Sequence, residues 1–470
     1  MTLAPNRPPS FAGVKHQSST RAGRPVGRVG ANPTRANPTR ANPTRANFHP
    51  TQQERADVVV VGSGIIALSI AHDLLQNTEL SVAVIERANG LCQGATGAGQ
   101  GYLWQLHRDP LNVEAWRMAE KGRARWKQLA EKDPAFSVDI NGSVLLATTA
   151  EELGEIKSRV GAVNDALSSA ETSRAVFLPT RDHVVLEEPA LGDAKAPILG
   201  GAMLASDFQI DGRAMTDALF VKCTHFSARF KPYFGAEVEQ LLVEGSVAKG
   251  VACAGGLKVA AGALCIAAGA WSSTLLSSLL GRNEWSEKIV PSRGHLLVVR
   301  PGRQRKGRER LLVHGVMESS YSKHYTSMRG DANQDCDLYD VTFTATENAA
   351  DGTLLIGSSR ELAAGFDQGV NPRAVKDIME SAKAYLPSLL DESCEVCDTR
   401  VGLRPWCRNG MPIIGPVEGD VDNLFIAAGH EGSGLTLAPA TAELMRGCIC
   451  QESRGLFQKG LPGGELWWLE

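Results

Sequence analysis

The stretch from Val58 to Glu86 constrains the fold of this chain more than any other. Four consecutive valines, Val58 to Val61, form an apolar run of the kind that a strand buried on both faces needs. The turn Gly62-Ser63-Gly64-Ile65-Ile66-Ala67 follows, then apolar residues at helical spacing, and then a second apolar run that ends at Glu86. Strand, glycine turn, helix, strand and acidic residue in this order are typical of a dinucleotide-binding βαβ unit.

The residues of this unit have separate physical roles in nucleotide binding. Gly62 permits a tight turn, Gly64 lets the backbone approach a pyrophosphate, and the helix N-terminus offers N–H groups and a positive dipole end to the phosphates. We therefore expect Gly62, Ser63, Gly64 and Ile65 to contact the ligand. The carboxylate of Glu86 would accept hydrogen bonds from a ribose 2′-hydroxyl and repel a 2′-phosphate, so the expected ligand is FAD or NAD rather than NADP.

Residues 1–53 differ in composition from the rest of the chain. They carry eight basic residues and no acidic residue, and the pentapeptide Ala-Asn-Pro-Thr-Arg occurs three times in residues 31–45. Proline at every fifth position blocks helix and sheet, so we expect this segment to be disordered. An acid-free leader with Arg, Ser and Thr is typical of an organelle transit peptide, and its uncharged first residues favour the plastid (chloroplast) over the mitochondrion. The alternative is a basic tail without a specific partner.

The remainder of the 470-residue chain is long enough for two or more domains. It has 41 basic against 52 acidic residues, so it has no broad basic excess that would attract nucleic acid. No apolar segment approaches the ~20 residues of a membrane helix. The ten cysteines lack the spacing of a disulfide framework, and Cys394-x-x-Cys397 supplies only two of the four ligands of a zinc site. We therefore expect no nucleic-acid partner, no membrane span and no metal.

A second glycine-rich segment, Gly94 to Gly101, follows the βαβ unit closely. Six of its eight residues are Gly or Ala, which indicates backbone lying against a flat ligand, because side chains would hold the backbone away. Further along, apolar spacing predicts helices over 111–132 and 150–160 and a strand over 142–147. A strand meander over 236–259 and a separate strand over 263–267 follow, and the latter leads into Ala268-Gly269-Ala270-Trp271.

In content and order these motifs resemble the D-amino acid oxidase-type family of FAD-dependent oxidoreductases, which includes glycine oxidase, sarcosine oxidase and the hydrogen cyanide synthase subunits. The resemblance runs from about Asp57 to Met445. Besides the motifs above it rests on Pro291-Ser292-Arg293-Gly294-His295, Gly402-Leu403-Arg404-Pro405, Pro412-Ile413-Ile414-Gly415 and Gly429-His430-Glu431-Gly432-Ser433-Gly434-Leu435-Thr436.

The resemblance implies an α/β fold in which a Rossmann-like FAD-binding domain is interleaved with a mixed-sheet α+β substrate domain. The implied segments are 55–107, 200–285 and 398–455 for the FAD-binding domain and 108–199 and 286–397 for the substrate domain, with a leader at 1–53 and a tail at 456–470. The ligand of the βαβ unit is then FAD.

The resemblance also implies where the chain contacts FAD. The implied contacts are Glu86 and Arg87, the backbone of Val238 at the adenine, Thr96, Gly97, Ala98, Gly99, Gln100 and Gly101 along the isoalloxazine, Ala268, Gly269 and Trp271, and the whole segment Gly429 to Thr436 at the flavin's pyrimidine end. Ala98 stands near where His-linked members carry their histidine, and the segment from Gly429 to Thr436 has no cysteine. We therefore expect the FAD to be non-covalent.

For the substrate, the resemblance implies Arg404, whose guanidinium would grip a carboxylate through two parallel charge-assisted hydrogen bonds. Tyr321 and His324 would hydrogen-bond an amine or a carboxylate. The alternatives are an arginine that caps a strand end and ordinary surface polar residues. One departure from the family pattern is Arg408-Asn409-Gly410-Met411-Pro412, where an acidic residue often precedes the Gly-x-Pro; this changes the local charge.

The implied reaction is oxidation of the C–N bond of a small amino acid or N-alkylamino acid. Hydride leaves the α-carbon for the flavin N5, the imine hydrolyses to an oxo acid, and oxygen or an electron carrier reoxidises the cofactor. Three alternatives stay open. Oxidation of a 2-hydroxy acid would need a base such as His295, His324 or His430; the others are an NAD-dependent dehydrogenase and a non-catalytic FAD-binding protein.

Overall fold

A computed structural model describes residues 53–168, 173–302, 309–321, 339–362, 364–407, 409–419 and 421–450 of the protein. Their strands are β1 (Gln53–Val61), β2 (Val82–Glu86), β3 (Tyr102–Leu103), β4 (Ser143–Ala147), β5 (Val176–Leu178), β6 (Gly200–Leu204), β7 (Phe208–Gln209), β8 (Phe230–Phe234), β9 (Val238–Glu244), β10 (Val247–Cys253), β11 (Lys258–Ile266), β12 (Ile289–Arg300), β13 (Gly315–Glu318), β14 (Tyr339–Glu347), β15 (Leu354–Glu361), β16 (Glu395–Cys407), β17 (Ile413–Pro416) and β18 (Leu424–Ala428). Their helices are α1 (Ile65–Asn77), α2 (Ala95–Ala98), α3 (Val113–Lys132), α4 (Ala150–Ala166), α5 (Arg181–Glu187), α6 (Gly212–Thr224), α7 (Ser272–Leu280), α8 (Pro372–Tyr385) and α9 (Gly434–Ile449).

The first sheet has β1 at its centre, in the order β17-β18-β11-β1-β2-β8. β18, β11, β1, β2 and β8 run parallel, and the antiparallel strands β10 and β9 extend the sheet from β11. Val58 and Val60 pack in the core under α1 and α9, whereas Val59 and Val61 pack in the core on the opposite face. Both faces of β1 are covered, which confirms the buried strand that the valine run predicts.

The glycine turn after β1 is fixed by steric constraints. Gly62 has φ +120°, and a β-carbon there would lie 2.4 Å from the carbonyl oxygen of Ala267, at the end of β11. A side chain at this position is therefore excluded both by the backbone conformation and by the neighbouring strand. The turn leads directly into α1, which begins at Ile65, so the predicted βαβ unit is confirmed.

The second sheet is mixed, in the order β16-β12-β15-β14-β13-β4-β6-β5, and β13 and β4 are its parallel pair. One face packs against α8 through Leu297, Phe343 and Ile378. The other face packs against α4 through residues such as Leu145 and Ile156. A Rossmann-like parallel sheet and a mixed sheet within one α/β chain confirm the expected fold class.

One strand differs from the sequence-based expectation, and two others lie at the implied domain boundaries. One strand, β11, covers both the end of the meander predicted over 236–259 and the separate strand predicted over 263–267, because its pairing with β1 continues from Lys258 to Ile266. β6 belongs to the second sheet although the implied FAD-binding segment begins at residue 200, and β16 crosses the implied boundary at 398. The domain boundaries themselves stay predictions. Within the described ranges, no helix is long and apolar enough to cross a bilayer.

Candidate active site

A cavity of about 950 Å³ lies where the two sheets meet. Its walls include the turn from Gly62 to Ile65, the segment from Ala268 to Trp271, and residues of the Gly429–Thr436 segment. Strand residues of both sheets, such as Ile85 and Leu403, complete the lining. The volume is at the upper end of the range of ligand pockets, about 300–1,000 Å³. Three motifs that lie far apart in the sequence therefore border a single space.

Most of the predicted cofactor residues line this cavity. They are Gly62, Ser63, Gly64, Ile65, Glu86, Arg87, Thr96, Ala98, Gly99, Gln100, Gly101, Val238, Ala268, Gly269, Trp271, His430, Glu431, Gly432, Gly434 and Leu435. Arg404 and Tyr321 line it as well, whereas His324 lies outside the described residues.

Four predicted cofactor residues are not on the cavity wall. The carbonyl of Gly97 accepts a hydrogen bond from Arg213 Nε (2.8 Å), and Gly429 packs so closely against a cysteine that a β-carbon would lie 2.3 Å from its Sγ. The hydroxyls of Ser433 and Thr436 each accept a hydrogen bond from Arg108, at 3.1 Å. These four residues contact other parts of the protein and are not among the residues that line the cavity.

The acidic residue at the end of β2 is held in place by its neighbours. Glu86 Oε2 accepts a hydrogen bond from Ser63 Oγ (2.9 Å), and Oε1 accepts one from the Ala88 N–H (2.8 Å). A carboxylate has about four lone-pair sites, so it retains acceptor capacity for ribose hydroxyls. Close by, the Arg87 guanidinium stacks 4.3 Å from the ring centroid of Trp271, which makes Trp271 part of the wall at this end.

Two helix N-termini open into the cavity. The N-cap residues of α1 and α9 are Gly64 and Ser433, and neither provides a side-chain cap within the described structure. Ile65 N–H donates to Thr96 Oγ1 (3.2 Å), which ties the second glycine-rich segment to α1. Backbone N–H groups at two helix starts favour negative charge at two places. FAD offers a pyrophosphate and, when reduced, a negatively charged pyrimidine end, so the residues present fit this cofactor.

Arg404 reaches the cavity from β16 across the neighbouring strand. Its Nη1 donates to the carbonyl oxygen of Ser359 (2.9 Å), and a β-carbon on Gly294 would lie 2.2 Å from the same nitrogen. The guanidinium therefore lies against the backbone of β12, at a position that only glycine leaves open. One of its five N–H donors is bound by Ser359, so others can serve a substrate carboxylate.

A pair of tyrosines lies on the wall of the same cavity. Tyr321 is 3% exposed, and its hydroxyl is 2.5 Å from the hydroxyl of Tyr102. Tyr102 comes from β3, and its ring centroid is 4.8 Å from that of Trp104. Tyr102 was not predicted as a site residue, because nothing in the local sequence shows that it meets Tyr321.

Both histidines on the cavity wall are already engaged. His295 Nδ1 lies 2.9 Å from Ser359 Oγ, and its Nε2 accepts a hydrogen bond from the Asn371 N–H (2.9 Å). Burial lowers the pKa of His295, against the opposing effect of the Glu361 carboxylate. His430 Nε2 lies 3.0 Å from Thr441 Oγ1, and burial lowers the pKa of His430 to about 3. With both of its ring nitrogens engaged, His295 is not placed as a general base for a substrate hydroxyl, and the low pKa of His430 makes it a weak base.

The family described as DAO, FAD dependent oxidoreductase, matches residues 57–446. The chain belongs to the DAO family. It is therefore an FAD-dependent oxidoreductase, as the glycine turn and the later motifs predict. This family membership excludes the alternative of an NAD-dependent dehydrogenase.

Individual DAO-family relatives match over most of their length. The chain is 24% identical over 450 residues to D-amino acid dehydrogenase 2 of Ralstonia nicotianae. The match covers 84% of this chain and 97% of the relative. It is 27% identical over 395 residues to glycine oxidase of Pseudomonas aeruginosa. That match covers 83% of this chain and 93% of the relative. The crystal structure of glycine oxidase from Bacillus cereus superposes with a TM-score of 0.66 at 24% identity, covering 84% of this chain and 95% of that one, which shows the shared fold.

The cavity wall also bears on whether FAD is attached covalently. Among the described residues that line the cavity there is no cysteine, and the two histidines are engaged as above, so covalent attachment is not indicated. Nor do the described ranges contain a group of three or more His, Cys, Asp and Glu side chains that could hold a metal.

Some site residues were not found from the sequence. Thr274 and Ser278 of α7 line the cavity, and their i, i+4 spacing directly after the Ala-Gly-Ala-Trp motif is a signal that could have identified them. The buried partner of Glu431 is Arg360 on β15, with Nη2 2.8 Å from Oε1. No sequence signal connects these two residues, since they lie on separate motifs far apart in the chain.

Proposed function

We propose that this DAO-family enzyme oxidises the C–N bond of a small amino acid or an N-alkylamino acid. The observation that carries the proposal is the position of Arg404 in the cavity that the cofactor motifs line. The substrates in the names of its relatives, a D-amino acid dehydrogenase and a glycine oxidase, support the same class. Bound FAD supplies the acceptor, N5, for a hydride from the substrate α-carbon, and the imine product hydrolyses to an oxo acid.

Arg404 orients the substrate. Its guanidinium grips the carboxylate in two parallel charge-assisted hydrogen bonds, which fixes the position of the α-carbon next to it. The carbonyl of Ser359 and the bare backbone of Gly294 hold the guanidinium, so little side-chain freedom remains to be lost when the substrate binds.

The amine end of the substrate needs no side-chain base. A neutral amine lone pair assists the departure of the hydride, whereas an alcohol must give its proton to a base. The engaged nitrogens of His295 and the low pKa of His430 therefore support amine oxidation over oxidation of a 2-hydroxy acid. The paired Tyr102 and Tyr321 hydroxyls lie on the same cavity wall, where a hydroxyl can hydrogen-bond an amine or a carboxylate.

Anaerobic mixing of the purified holoenzyme with a panel of amino, N-methylamino and 2-hydroxy acids tests the proposal. We expect one or more amino or N-methylamino acids to bleach the flavin absorbance. Bleaching by hydroxy acids alone would overturn the proposal, and a cofactor that no donor reduces would support a non-catalytic FAD-binding protein. Oxygen uptake during aerobic turnover then distinguishes oxygen from an electron carrier as the oxidant.

We also propose that the leader directs the chain to the plastid. The acid-free, arginine-bearing composition of residues 1–53 supports this proposal, with the mitochondrion as the alternative. Residues 1–52 lie outside the described structure. A fluorescent protein fused behind residues 1–53 should enter plastids; a fusion that stays in the cytosol would contradict the proposal.

A further inference from the structure

A second arginine, Arg360, pairs with a residue of the cavity wall. Arg360, near the end of β15, pairs with Glu431 of the segment before α9, with Nη2 2.8 Å from Oε1. The two side chains are only 8% and 12% exposed. Glu431 is one of the residues that line the cavity, whereas Arg360 is not.

Strand pairing places the two arginines on one face of the second sheet. Arg293 of β12 pairs with Glu361 of β15, and their side chains form an ion pair, so the two side chains share one face of the sheet. Successive side chains alternate between faces, so Gly294 and Arg360 share the opposite face. Arg404 lies over Gly294 and therefore shares that face too.

The two guanidiniums are also linked through the backbone. Arg404 donates to the carbonyl oxygen of Ser359, the residue directly before Arg360. A guanidinium stays charged even when buried, and a buried charge needs a counter-charge. Two guanidiniums side by side would select a substrate with two carboxylates. Glu431 supplies one of these carboxylates from within the protein.

The backbone of Glu431 indicates that its side chain is needed. Glu431 has φ +47°, a conformation that glycine adopts more easily than any residue with a β-carbon. Glycine stands at 429, 432 and 434 of the same segment, yet glutamate stands here. The Gly432 N–H also donates to the Glu431 carboxylate, so the side chain is held where it meets Arg360.

We propose that Glu431 is a specificity determinant that acts as an internal carboxylate on Arg360. It leaves Arg404 for the substrate and restricts the site to substrates with a single carboxylate. A substrate with a second carboxylate finds Arg360 occupied and meets the negative charge of Glu431. This inference rests on the proposed function in one respect, namely that Arg404 binds the substrate carboxylate.

The test measures anion binding to the holoenzyme, which needs no turnover. Acetate and malonate are titrated at equal ionic strength, and the change in the flavin absorption spectrum gives the two dissociation constants. In Glu431→Gln, we expect the affinity for malonate relative to acetate to rise at least tenfold. Glu431→Asp, which keeps the charge, is the matched control and should stay near the wild-type ratio. A Glu431→Gln ratio within twofold of wild type would overturn the proposal.

The double variant Arg360→Gln/Glu431→Gln assigns the gain to the second guanidinium. It should return the malonate-to-acetate ratio to near the wild-type value; a ratio as high as that of Glu431→Gln would overturn the proposal. If Glu431→Gln does not retain FAD, Arg360→Gln alone serves instead. This variant leaves Glu431 without this counter-charge, so it should weaken the binding of malonate more than the binding of acetate. Affinities for both anions equal to those of wild type would overturn the proposal.

Turnover separates this inference from the proposed function. Should no amino acid reduce the wild-type flavin while Glu431→Gln still shifts anion preference, the proposed function fails and the role of Glu431 stands. Should glycine reduce the wild-type flavin while Glu431→Gln shows no gain with malonate or with aspartate as substrate, the role of Glu431 fails and the proposed function stands.

Discussion

Replacing Arg404 by methionine should remove substrate anchoring and leave FAD bound. The guanidinium donates once to Ser359, at 2.9 Å, and retains donors for both oxygens of a carboxylate. Two charge-assisted hydrogen bonds are worth about 1.5–3 kcal/mol each. Allowing for imperfect additivity, the loss is about 3–5 kcal/mol, so kcat/KM should fall by roughly 10²–10⁴-fold.

Stopped-flow reduction of the flavin by amino acids measures this loss directly. Arg404→Lys keeps the positive charge but lacks the planar guanidinium that binds both carboxylate oxygens. Its kcat/KM should therefore lie between those of wild type and Arg404→Met. Arg373→Met removes the same charge from a side chain that is 72% exposed, and it should behave like wild type. A kcat/KM for Arg404→Met within threefold of wild type, with FAD fully bound, would refute the role assigned to Arg404.

Three further predictions test separate parts of the structure. Gly62→Ala puts a β-carbon 2.4 Å from a backbone oxygen, so FAD content should collapse; Gly154→Ala, with nothing within 4 Å, should retain FAD, and equal FAD content would contradict the steric argument. Burial raises the pKa of Glu188 to about 7, above the ordinary value of 4.5, so the folded state binds the proton more tightly. Its contribution to the free energy of unfolding, about 3 kcal/mol, is present below pH 4.5 and is lost as the pH rises to 7. Urea unfolding of Glu188→Gln should therefore depend less on pH than that of wild type, and parallel curves would contradict the shift. Tyr321→Phe and Tyr102→Phe each remove one of two paired hydroxyls, so each should lower kcat/KM by roughly three- to tenfold, about 1 kcal/mol, and an unchanged value in both would remove the pair from the site.

The sequence predicts those parts of the fold that are determined by residues close together in the chain. The valine run, the glycine turn and the acid at Glu86 are close in sequence, and each reports its own backbone environment, so the βαβ unit was predicted correctly. β11 was predicted as two strands because Gly262 interrupts its apolar pattern, whereas pairing with β1 continues through that residue. Membership of β6 in the second sheet depends on its pairing with β4, which local sequence does not show.

Within the site, a motif identifies a stretch of chain and does not show which atoms face the ligand. Gly97 was predicted to lie along the cofactor, but its carbonyl turns to Arg213. Ser433 and Thr436 lie in the correct segment, and their hydroxyls turn to Arg108. Such orientations are set by partners from remote parts of the chain. The same reason explains why the Arg360 contact of Glu431 and the Tyr102 contact of Tyr321 had no sequence signal.

The most direct test of the site is an experimental structure of the holoenzyme with FAD and acetate bound. One FAD should occupy the cavity, with its adenosine end at Glu86 and Val238 and its flavin beside the Gly429–Thr436 segment. The acetate carboxylate should contact the guanidinium of Arg404. FAD bound elsewhere, or acetate seated away from Arg404, would contradict the placement of cofactor and substrate in a single cavity.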